Sequence, residues 1–186
     1  MKALVTLANG FEEIESVCAI DILRRAGIQV TVASIAERDV SGAHGLIFKS
    51  DKLIADCLND PFDVVVLPGG MPGATNLRDS EVLTEILKRQ NSNGKLIAAI
   101  CASPAVVLAH HGLLTGKKAT CYAGFESMLS DATFVLSPVV VDGNLITSQG
   151  PGTAIEFSLA LVKILVGDAK CDQLRSDLLI EKAGII

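Results

Sequence analysis

Short apolar runs alternate along the chain with segments of mixed, helix-compatible pattern. The runs are Ala3–Ala8, Val30–Ser34, Val64–Leu67 and Leu96–Ile100, and each leads into a polar, Gly or turn-forming residue. Apolar runs of this length, bounded by such residues, are typical of buried strands, and the segments between them are typical of helical crossovers. The pattern predicts an α/β sandwich, a mostly parallel sheet with helices on both faces.

Start and stop signals mark several helices. The clearest helix is predicted at Glu81–Arg89, where aliphatic residues form one stripe, Asp79 or Ser80 can cap the start, and Gly94 lies beyond the end. The apolar stripe should lie on the sheet.

Three more helices are predicted in the second half of the chain. Ser103 and Pro104 are the N-cap and first residue of a helix that ends near His111. Residues 153 to 167 hold another, bracketed by Thr and Gly, and Asp168 opens the last.

Two segments interrupt the alternation of strands and helices. Val139–Val141, then Asp142-Gly143, then Asn144–Thr147 form the signature of a two-residue type I′ turn, so a β-hairpin insertion is predicted. Residues 39 to 50 are predicted to form another irregular or hairpin insertion.

Length and composition bound the class of protein. The chain has 186 residues, 49% hydrophobic and only 4% aromatic, so a core of Val, Ile, Leu and Ala is expected. Disordered and fibrous classes are excluded. A chain of this length is expected to form a single domain spanning residues 1–186.

Charge and cysteine usage narrow the function. The net charge is −5 and no long basic run occurs, so dedicated nucleic-acid binding is not expected. No apolar stretch approaches the length of a membrane span, and no signal peptide or anchor is expected. Five cysteines occur at irregular spacing, without a Cys-x-x-Cys pair or a His at metal-ligand spacing. We therefore expect a reduced, cytoplasmic protein with free thiols and with no cofactor or metal.

The most specific chemical signal follows the fourth apolar run. Ala98-Ala99-Ile100-Cys101-Ala102-Ser103 places a thiol between a strand and a helix, with small residues two positions before and after it. This is the pattern of a nucleophile elbow, whose tight turn points the side chain into the crevice at the strand ends. The helix N-terminus favours a thiolate, so an exposed thiol of lowered pKa is expected. The alternative is that Cys101 is a buried small hydrophobe.

Carboxylates and glycines follow the neighbouring strands. Glu12, Glu13 and Glu15 lie in the first turns of a predicted helix, where the helix dipole favours carboxylates, and helical spacing only weakly favours Glu15 as the one over the strand ends. Gly69 and Gly70 leave backbone N–H groups free, and with the N–H of Ala102 they could form an oxyanion hole. A phosphate loop is disfavoured because the lysine and the glycine spacing are absent.

The three histidines do not complete a simple Cys–His pair. His110 and His111 lie nine and ten residues beyond Cys101 on the same predicted helix, about 13 to 15 Å away, and are expected to be exposed. His44 falls in the irregular insertion, where the sequence does not show whether it reaches a site.

Several blocks, in order, resemble the DJ-1/ThiJ/PfpI superfamily, in the branch with the human parkinsonism-associated protein and its ThiJ-like bacterial relatives. The similar blocks are Ala3-Leu4-Val5, Gly10 to Glu15, Asp21 to Gly27, Asp63 to Gly70, Ala98 to Pro104 and Thr147 to Thr153. The resemblance implies a flavodoxin-like three-layer sandwich that forms a homodimer.

The same resemblance implies roles for site residues. Cys101 is then the reactive cysteine, Glu15 the protonated glutamate that hydrogen-bonds its sulfur, and Gly69, Gly70 and Ala102 the residues whose amides surround it. Two departures concern auxiliary positions: Cys121 stands where human-type relatives carry a His, and His44 stands where they carry an Arg from the partner subunit. Because Ala102 replaces the His of protease-like members, peptidase activity is not expected.

Two functions follow as hypotheses. The first is a glutathione-independent glyoxalase or protein deglycase with a role in the oxidative stress response, in which Cys101 adds to a 2-oxoaldehyde or its early glycation adduct and Glu15 moves the proton. The second is a non-enzymatic redox sensor or redox-regulated chaperone that uses the same cysteine. In the second case Cys101 is oxidised to a sulfinate or, with Cys121 as the resolving thiol, to a disulfide.

Overall fold

A seven-stranded sheet forms the centre of the structure, a computed structural model that describes residues 1–180. Its strand order is β10-β11-β7-β6-β1-β2-β5. All neighbouring strands run parallel except β10 and β11, which form an antiparallel hairpin. The strands are β1 Lys2–Leu7, β2 Gln29–Ser34, β5 Lys52–Leu53, β6 Val64–Leu67, β7 Leu96–Ile100, β10 Val139–Asp142 and β11 Leu145–Ser148.

The central strands are apolar along their whole length because both faces of the sheet are covered. All four residues of β6 are buried, and β7 is buried from Ile97 onward. The predicted mostly parallel sheet is confirmed, and β1 begins and ends one residue earlier than predicted.

Helices pack on the sheet in two groups. One group contains α1 and α4, which contact each other, with α5 against α4; the other contains α2 and α3 together with a short π-helix at Pro104–Ala109. The helices are α1 Glu13–Arg25, α2 Gly73–Arg78, α3 Glu81–Ser92, α4 Ala154–Val166 and α5 Asp168–Asp177, with short 3-10 turns at Ile54–Cys57, Glu126–Met128 and Pro151–Thr153.

The predicted caps agree with the structure in one helix and not in another. Ser80 caps α3, its side chain accepting a hydrogen bond from the Leu83 N–H at 3.3 Å. Ser103 does not cap the following helix, and this prediction was wrong. The Ser103 hydroxyl is buried and donates to the Pro68 carbonyl instead, because the turn after β7 packs directly on the turn after β6.

Both predicted insertions are hairpins. β10 and β11 form the predicted hairpin, but the predicted type I′ turn at Asp142-Gly143 was wrong. Asp142 pairs with Leu145, so the two turn residues are Gly143 and Asn144, and only Gly143 has a positive φ, +63°, whereas a type I′ turn needs one at both. In the other insertion, β3 Asp39–Ser41 pairs with β4 Ile47–Lys49. A further two-stranded ladder, β8 Lys118–Ala119 with β9 Thr133–Phe134, was not predicted from the sequence.

None of the helices within residues 1–180 has the length and apolar character needed to cross a lipid bilayer.

Candidate active site

Four parallel strands end at one edge of the sheet, and the turns that follow them meet there. In spatial order these strands are β11, β7, β6 and β1. Ligand crevices of open parallel sheets lie at this edge, and the turns carry the residues that the sequence analysis selected.

Cys101 occupies a strained turn directly after β7. Its φ is +65°, and within residues 1–180 only one other residue that is not glycine has a positive φ. The turn is held on both sides: the Cys101 N–H donates to the Ser148 carbonyl at 3.0 Å, and the Tyr122 N–H donates to the Cys101 carbonyl at 2.8 Å. A left-handed conformation costs an ordinary residue roughly 1–2 kcal/mol, so the surrounding hydrogen bonds must impose it.

The carboxyl group of Glu15 lies beside the thiol. Glu15 is only 1% exposed, near the start of α1. Its Oε2 accepts the Gly69 N–H at 2.7 Å, while Oε1 is buried and receives no hydrogen bond from the described residues. The thiol and the carboxyl group influence each other's titration, the thiol acting to lower the pKa of Glu15 and the carboxylate acting to raise the pKa of Cys101. The structure thus distinguishes Glu15 from Glu12 and Glu13, which helical spacing alone did not.

Position 69 must be a glycine because the site leaves no room for a side chain there. A Cβ at this position would lie 2.5 Å from the Cβ of Cys101 and 3.0 Å from both its Sγ and the Oε2 of Glu15. The predicted role of the Gly69 amide was wrong, because that N–H is directed to Glu15 and not to the sulfur. It fixes the carboxyl group instead.

Gly70 and Ala102 supply the amides that face the sulfur. Their N–H groups interact with the Cys101 sulfur and act to lower its pKa. The turn that holds Gly70 lies against the turn after β1, where the Glu12 N–H donates to the Gly69 carbonyl at 3.0 Å. A side chain at Gly70, whose φ is +85°, would collide with that backbone.

Burial dominates the titration of the pair. It raises the pKa of Glu15 to about 7; the hydrogen bonds from Gly69 and Cys101 act against the rise, and the charge of Glu12 adds to it. Burial, followed by the charge of Glu15, raises the pKa of Cys101 to about 12. The amides of Gly70 and Ala102 offset only part of this rise.

The expectation of an exposed thiol with a lowered pKa was therefore wrong. Cys101 is 8% exposed, and the helix that follows it is a single short π-helix, so the helix dipole does not outweigh burial. Between the pKa values of Glu15 and Cys101 the pair holds one proton, on the thiol beside an ionised carboxylate, and below about 7 the carboxyl group is protonated as well. The thiolate facing a neutral carboxyl group is the other arrangement of the same proton.

Cys121 lies one residue before the Tyr122 amide that contacts Cys101. It is 1% exposed, and burial, with a contribution from the charge of Glu126, raises its pKa to about 11. All five cysteines are free thiols, as expected.

The structure places His44 with acidic residues of α1 and not with the thiol. Its Nδ1 lies 3.0 Å from Oε2 of Glu13 and 3.5 Å from Oε2 of Glu12. Hydrogen bonding to Glu13, then the charges of Glu12 and Glu13, raise the pKa of His44. The sequence did not indicate this cluster, because 31 residues separate His44 from Glu13.

His110 and His111 lie away from the pair, as their distance along the helix indicated. His110 is exposed, but His111 is half-buried and its Nε2 lies 3.0 Å from the Arg78 carbonyl, so the expected exposure was wrong for His111. Both line a surface groove of about 660 Å³ beside α3, which contains neither Cys101 nor Glu15.

The family model described as "DJ-1/PfpI family" matches residues 1–164. "Protein DJ-1 homolog B" of Arabidopsis thaliana is 45% identical over 171 residues, covering 91% of this chain and 39% of that protein. "Protein DJ-1 homolog A" of the same plant is covered over 46% of its length, so the chain spans less than half of these two relatives. The "Parkinson disease protein 7 homolog" of Danio rerio is 42% identical over 97% of both chains.

A relative from Caenorhabditis elegans carries an activity in its name, "Glutathione-independent glyoxalase DJR-1.2". It is 37% identical over 173 residues, covering 92% of this chain and 91% of that protein. Among solved structures, "Toxoplasma gondii DJ-1, oxidized" superposes with a TM-score of 0.93 at 46% identity, covering 96% of this chain and 97% of that one. These similarities agree with the α/β fold described above.

Proposed function

We propose, starting from the fact that this chain belongs to the DJ-1/PfpI family, that it is a cysteine-dependent enzyme acting on 2-oxoaldehydes or their early glycation adducts. The observation that carries the proposal is the pairing of a buried carboxyl group, Glu15, with the Cys101 sulfur in a turn lined by amides. The C. elegans relative named as a glutathione-independent glyoxalase supports this class of reaction.

The first step is addition of the sulfur to the aldehyde carbon. The Glu15 carboxylate takes the thiol proton as the S–C bond forms and passes it to the former carbonyl oxygen, which gives a hemithioacetal and restores the carboxylate. Oε1 of Glu15 receives no hydrogen bond from residues 1–180 and is the atom suited to receive that proton. A thiol with a raised pKa needs such a base at neutral pH.

The amides of Gly70 and Ala102 are suited to stabilise the oxygen of the adduct. They already interact with the sulfur, so an oxygen bonded to the attacked carbon would lie close to them. Fixed N–H groups in a site shielded from water stabilise developing negative charge without reorganisation.

Glu15 then moves a proton between the two carbons. It removes the hydrogen from the former aldehyde carbon and returns a proton to the neighbouring carbon, while the hydroxyl proton passes to the neighbouring oxygen, which turns the hemithioacetal into a 2-hydroxy thioester. Water hydrolyses the thioester, releasing a 2-hydroxy acid and restoring the thiol. The net reaction adds one water to the 2-oxoaldehyde and needs no oxidant or glutathione.

The test is the conversion of methylglyoxal to lactate by wild type and two site variants. Cys101→Ser should abolish turnover, and Glu15→Gln should lower it by at least roughly 10²-fold, the lower end of general acid–base effects. Cys18→Ser, a half-buried cysteine on α1, is the matched control and should keep the native rate. Native turnover by Cys101→Ser would refute the mechanism.

A second assay separates glyoxalase from deglycase action. Wild type is given either free methylglyoxal or methylglyoxal already combined with an amine as an early adduct, in the presence of a scavenger that removes the free aldehyde. Lactate formed only without the scavenger supports a glyoxalase, and lactate formed equally with the scavenger supports a deglycase.

A homodimer is part of the proposal. Ile14 and Val17 lie one turn apart on α1 and are 54% and 46% exposed, and Leu46 and Ile47 are 61% and 73% exposed. The Leu46 N–H donates to the side chain of Glu13, so the two apolar pairs adjoin. Light scattering of wild type and Ile47→Asp would test it: the variant should shift toward monomer, and an unchanged monomeric mass in both would refute it.

A redox sensor or redox-regulated chaperone is the second candidate, supported by the relative described as oxidized. One peroxide would convert the thiol to a sulfenic acid plus water, and a second would give the sulfinic acid. Mass spectrometry after mild peroxide should find the oxygen adducts on Cys101, or a Cys101–Cys121 disulfide. Protein with oxidation elsewhere but none at Cys101 would count against sensing.

A further inference from the structure

Tyr122, the single tyrosine of the chain, lies beside the reactive turn and takes no part in the steps proposed above. Its backbone N–H donates to the Cys101 carbonyl at 2.8 Å, and the residue is 47% exposed. The neighbouring Cys121 is buried, so of these two residues only the tyrosine reaches the surface. A single exposed ring is common on protein surfaces, so the place of this ring is what matters.

The ring of Tyr122 rests on the turn that follows β11. A Cβ at Gly150 would lie 3.0 Å from Cδ2 and 3.3 Å from Cε2 of the ring, so the missing side chain leaves room for it. The Gly150 N–H donates to Thr153 Oγ1 at 3.1 Å, and that hydroxyl lies 2.7 Å from the hydroxyl of Ser148. The Ser148 carbonyl accepts the Cys101 N–H at 3.0 Å. The support of the ring and the reactive turn therefore belong to one hydrogen-bonded framework.

Phe125 also supports the ring. Its backbone N–H donates to the Tyr122 carbonyl at 3.1 Å, which closes a tight turn. The two rings meet edge to face, with centroids 6.4 Å apart and an interplanar angle of 68°. Aromatic pairs attract each other in this arrangement. Phe125 is partly buried and packs against the core, so it holds the exposed ring of Tyr122 in place.

Tyr122 and Glu15 flank the reactive turn on opposite sides. The four strands that end at this edge lie in the order β11, β7, β6 and β1, and Cys101 follows β7. Glu15 belongs to the helix after β1 and accepts the N–H of Gly69, which follows β6. The Tyr122 ring lies on the other side, over the turn after β11. The dimer face proposed above adjoins α1, so it lies on the side of Glu15 and not on the side of the ring.

This arrangement gives the two ends of a bound 2-oxoaldehyde different surroundings. Glu15 must reach both reacting carbons in the proposed mechanism, so the substituent beyond the keto carbon extends toward the side away from Glu15. On that side the structure offers a half-exposed aromatic ring. Aromatic and large apolar groups gain from contact with such a ring, through burial of apolar surface and through ring–ring attraction. The methyl group of methylglyoxal is too small to gain much from it.

We propose that Tyr122 is a specificity-determining residue of the Cys101 site, whose ring contacts an aromatic or large apolar substituent of the 2-oxoaldehyde. The inference rests on the function proposed above and names arylglyoxals, such as phenylglyoxal, as the preferred substrates over methylglyoxal. Tyr122 takes no part in bond formation or proton transfer. Its hydroxyl group is not required, because the contact is made by the ring.

The experiment compares two alkylating reagents at Cys101: iodoacetanilide, which carries a phenyl ring, and iodoacetamide, which does not. Each forms an S–C bond with loss of iodide, so neither requires turnover. The ratio of the two rates is followed by mass spectrometry and divided by the ratio for free cysteine. Wild type should favour iodoacetanilide by about 3- to 10-fold, the range expected for one aromatic contact. Tyr122→Ala should bring the ratio close to that of free cysteine, whereas Tyr122→Phe should keep the wild-type ratio.

Two further variants complete the experiment. Ile164→Ala removes an apolar side chain of similar exposure near the end of α4 and, as the matched control, should keep the wild-type ratio. Gly150→Ala, whose methyl group would lie 3.0 Å from the ring and displace it, should lower the ratio and serves in place of Tyr122→Ala if that variant does not fold.

Three results would overturn the role of the ring. The first is a ratio that Tyr122→Ala leaves unchanged. The second is equal slowing of both reagents in Tyr122→Ala, which is what a merely structural role of the side chain predicts. The third is a loss in Tyr122→Phe as large as that in Tyr122→Ala, which would assign the effect to the hydroxyl group.

Turnover tests the substrate preference separately. The ratio of kcat/KM for phenylglyoxal to that for methylglyoxal should fall by about 3- to 10-fold in Tyr122→Ala, through KM more than through kcat. If wild type turned over neither aldehyde while the alkylation ratios came out as expected, the proposed function would fail and the aromatic contact would stand. If both aldehydes were turned over with the same ratio in Tyr122→Ala as in wild type, the preference would be refuted and the proposed function would stand.

Discussion

Replacing Glu15 by Gln should make the protein relatively more stable at neutral pH than at acid pH. Burial raises the pKa of Glu15 from 4.5 to about 7. Between these values the folded state retains a proton that the unfolded state has lost, so stability falls as pH rises through this window and stays lower above it. At about 1.4 kcal/mol per unit, the effect is about 3 kcal/mol.

Glutamine removes the titration but keeps most of the geometry. Its amide oxygen can still accept the Gly69 N–H that Oε2 accepts in wild type. Its NH₂ group would be buried where Oε1 lacks a hydrogen bond, which costs about 1–3 kcal/mol at every pH. The informative quantity is therefore the change with pH of the stability difference between variant and wild type, not the difference at one pH.

The assay is urea unfolding at about pH 4 and about pH 8, at constant ionic strength, with extrapolation to water. The unfolding free energy of Glu15→Gln, relative to that of wild type, should be higher by about 3 kcal/mol at pH 8 than at pH 4. Glu85→Gln, the same substitution at an exposed position of α3, controls for removal of one negative charge. If Glu15→Gln and Glu85→Gln gave the same pH dependence, the argument from burial would be refuted.

The remaining predictions concern two residues, Gly69 and Ser103, in the turns that pack around Cys101 and Glu15. Gly69→Ala should destabilise the fold by about 1–3 kcal/mol and abolish turnover, because its Cβ would overlap Cys101. Gly152→Ala is the control, because a Cβ at position 152 would have no atom within 4 Å, and this variant should keep both its stability and its turnover. Equal unfolding curves for Gly69→Ala and Gly152→Ala would contradict the steric argument. Ser103→Ala should cost about 1–3 kcal/mol in thermal or urea unfolding, because the buried Pro68 carbonyl loses its donor. Ser92→Ala, an exposed hydroxyl on α3, is the control, and equal losses in both would argue against a special role for Ser103.

The sequence predicted those parts of the site that depend on local chain geometry. The small residues around Cys101 are neighbours along the chain, so their pattern predicted the tight turn, in which the structure gives Cys101 a φ of +65°. The mostly parallel sheet and the β10–β11 hairpin followed in the same way, from apolar runs and turn residues, whereas the order of the strands was not predicted. The short ladder of β8 and β9 was missed because each strand has only two residues.

Other features depend on contacts between distant segments, which the sequence alone does not show. Which carboxyl group reaches the thiol depends on Gly69, 54 residues after Glu15, and the family resemblance, not helical spacing, selected it. The pKa of Cys101 was misjudged for a similar reason. The helix N-terminus is visible in the sequence, whereas the burial that outweighs it is a property of the packed turns.

The central claim, that the ionised Glu15 carboxylate accepts the Cys101 thiol proton, is tested most directly by the pH dependence of Cys101 alkylation. Iodoacetamide labelling of wild type and Glu15→Gln is followed at Cys101 by mass spectrometry across the pH range. The account predicts an inflection near the Glu15 pKa of about 7 in wild type, and a rate that climbs only at alkaline pH in the variant. Superimposable profiles for the two proteins would contradict it.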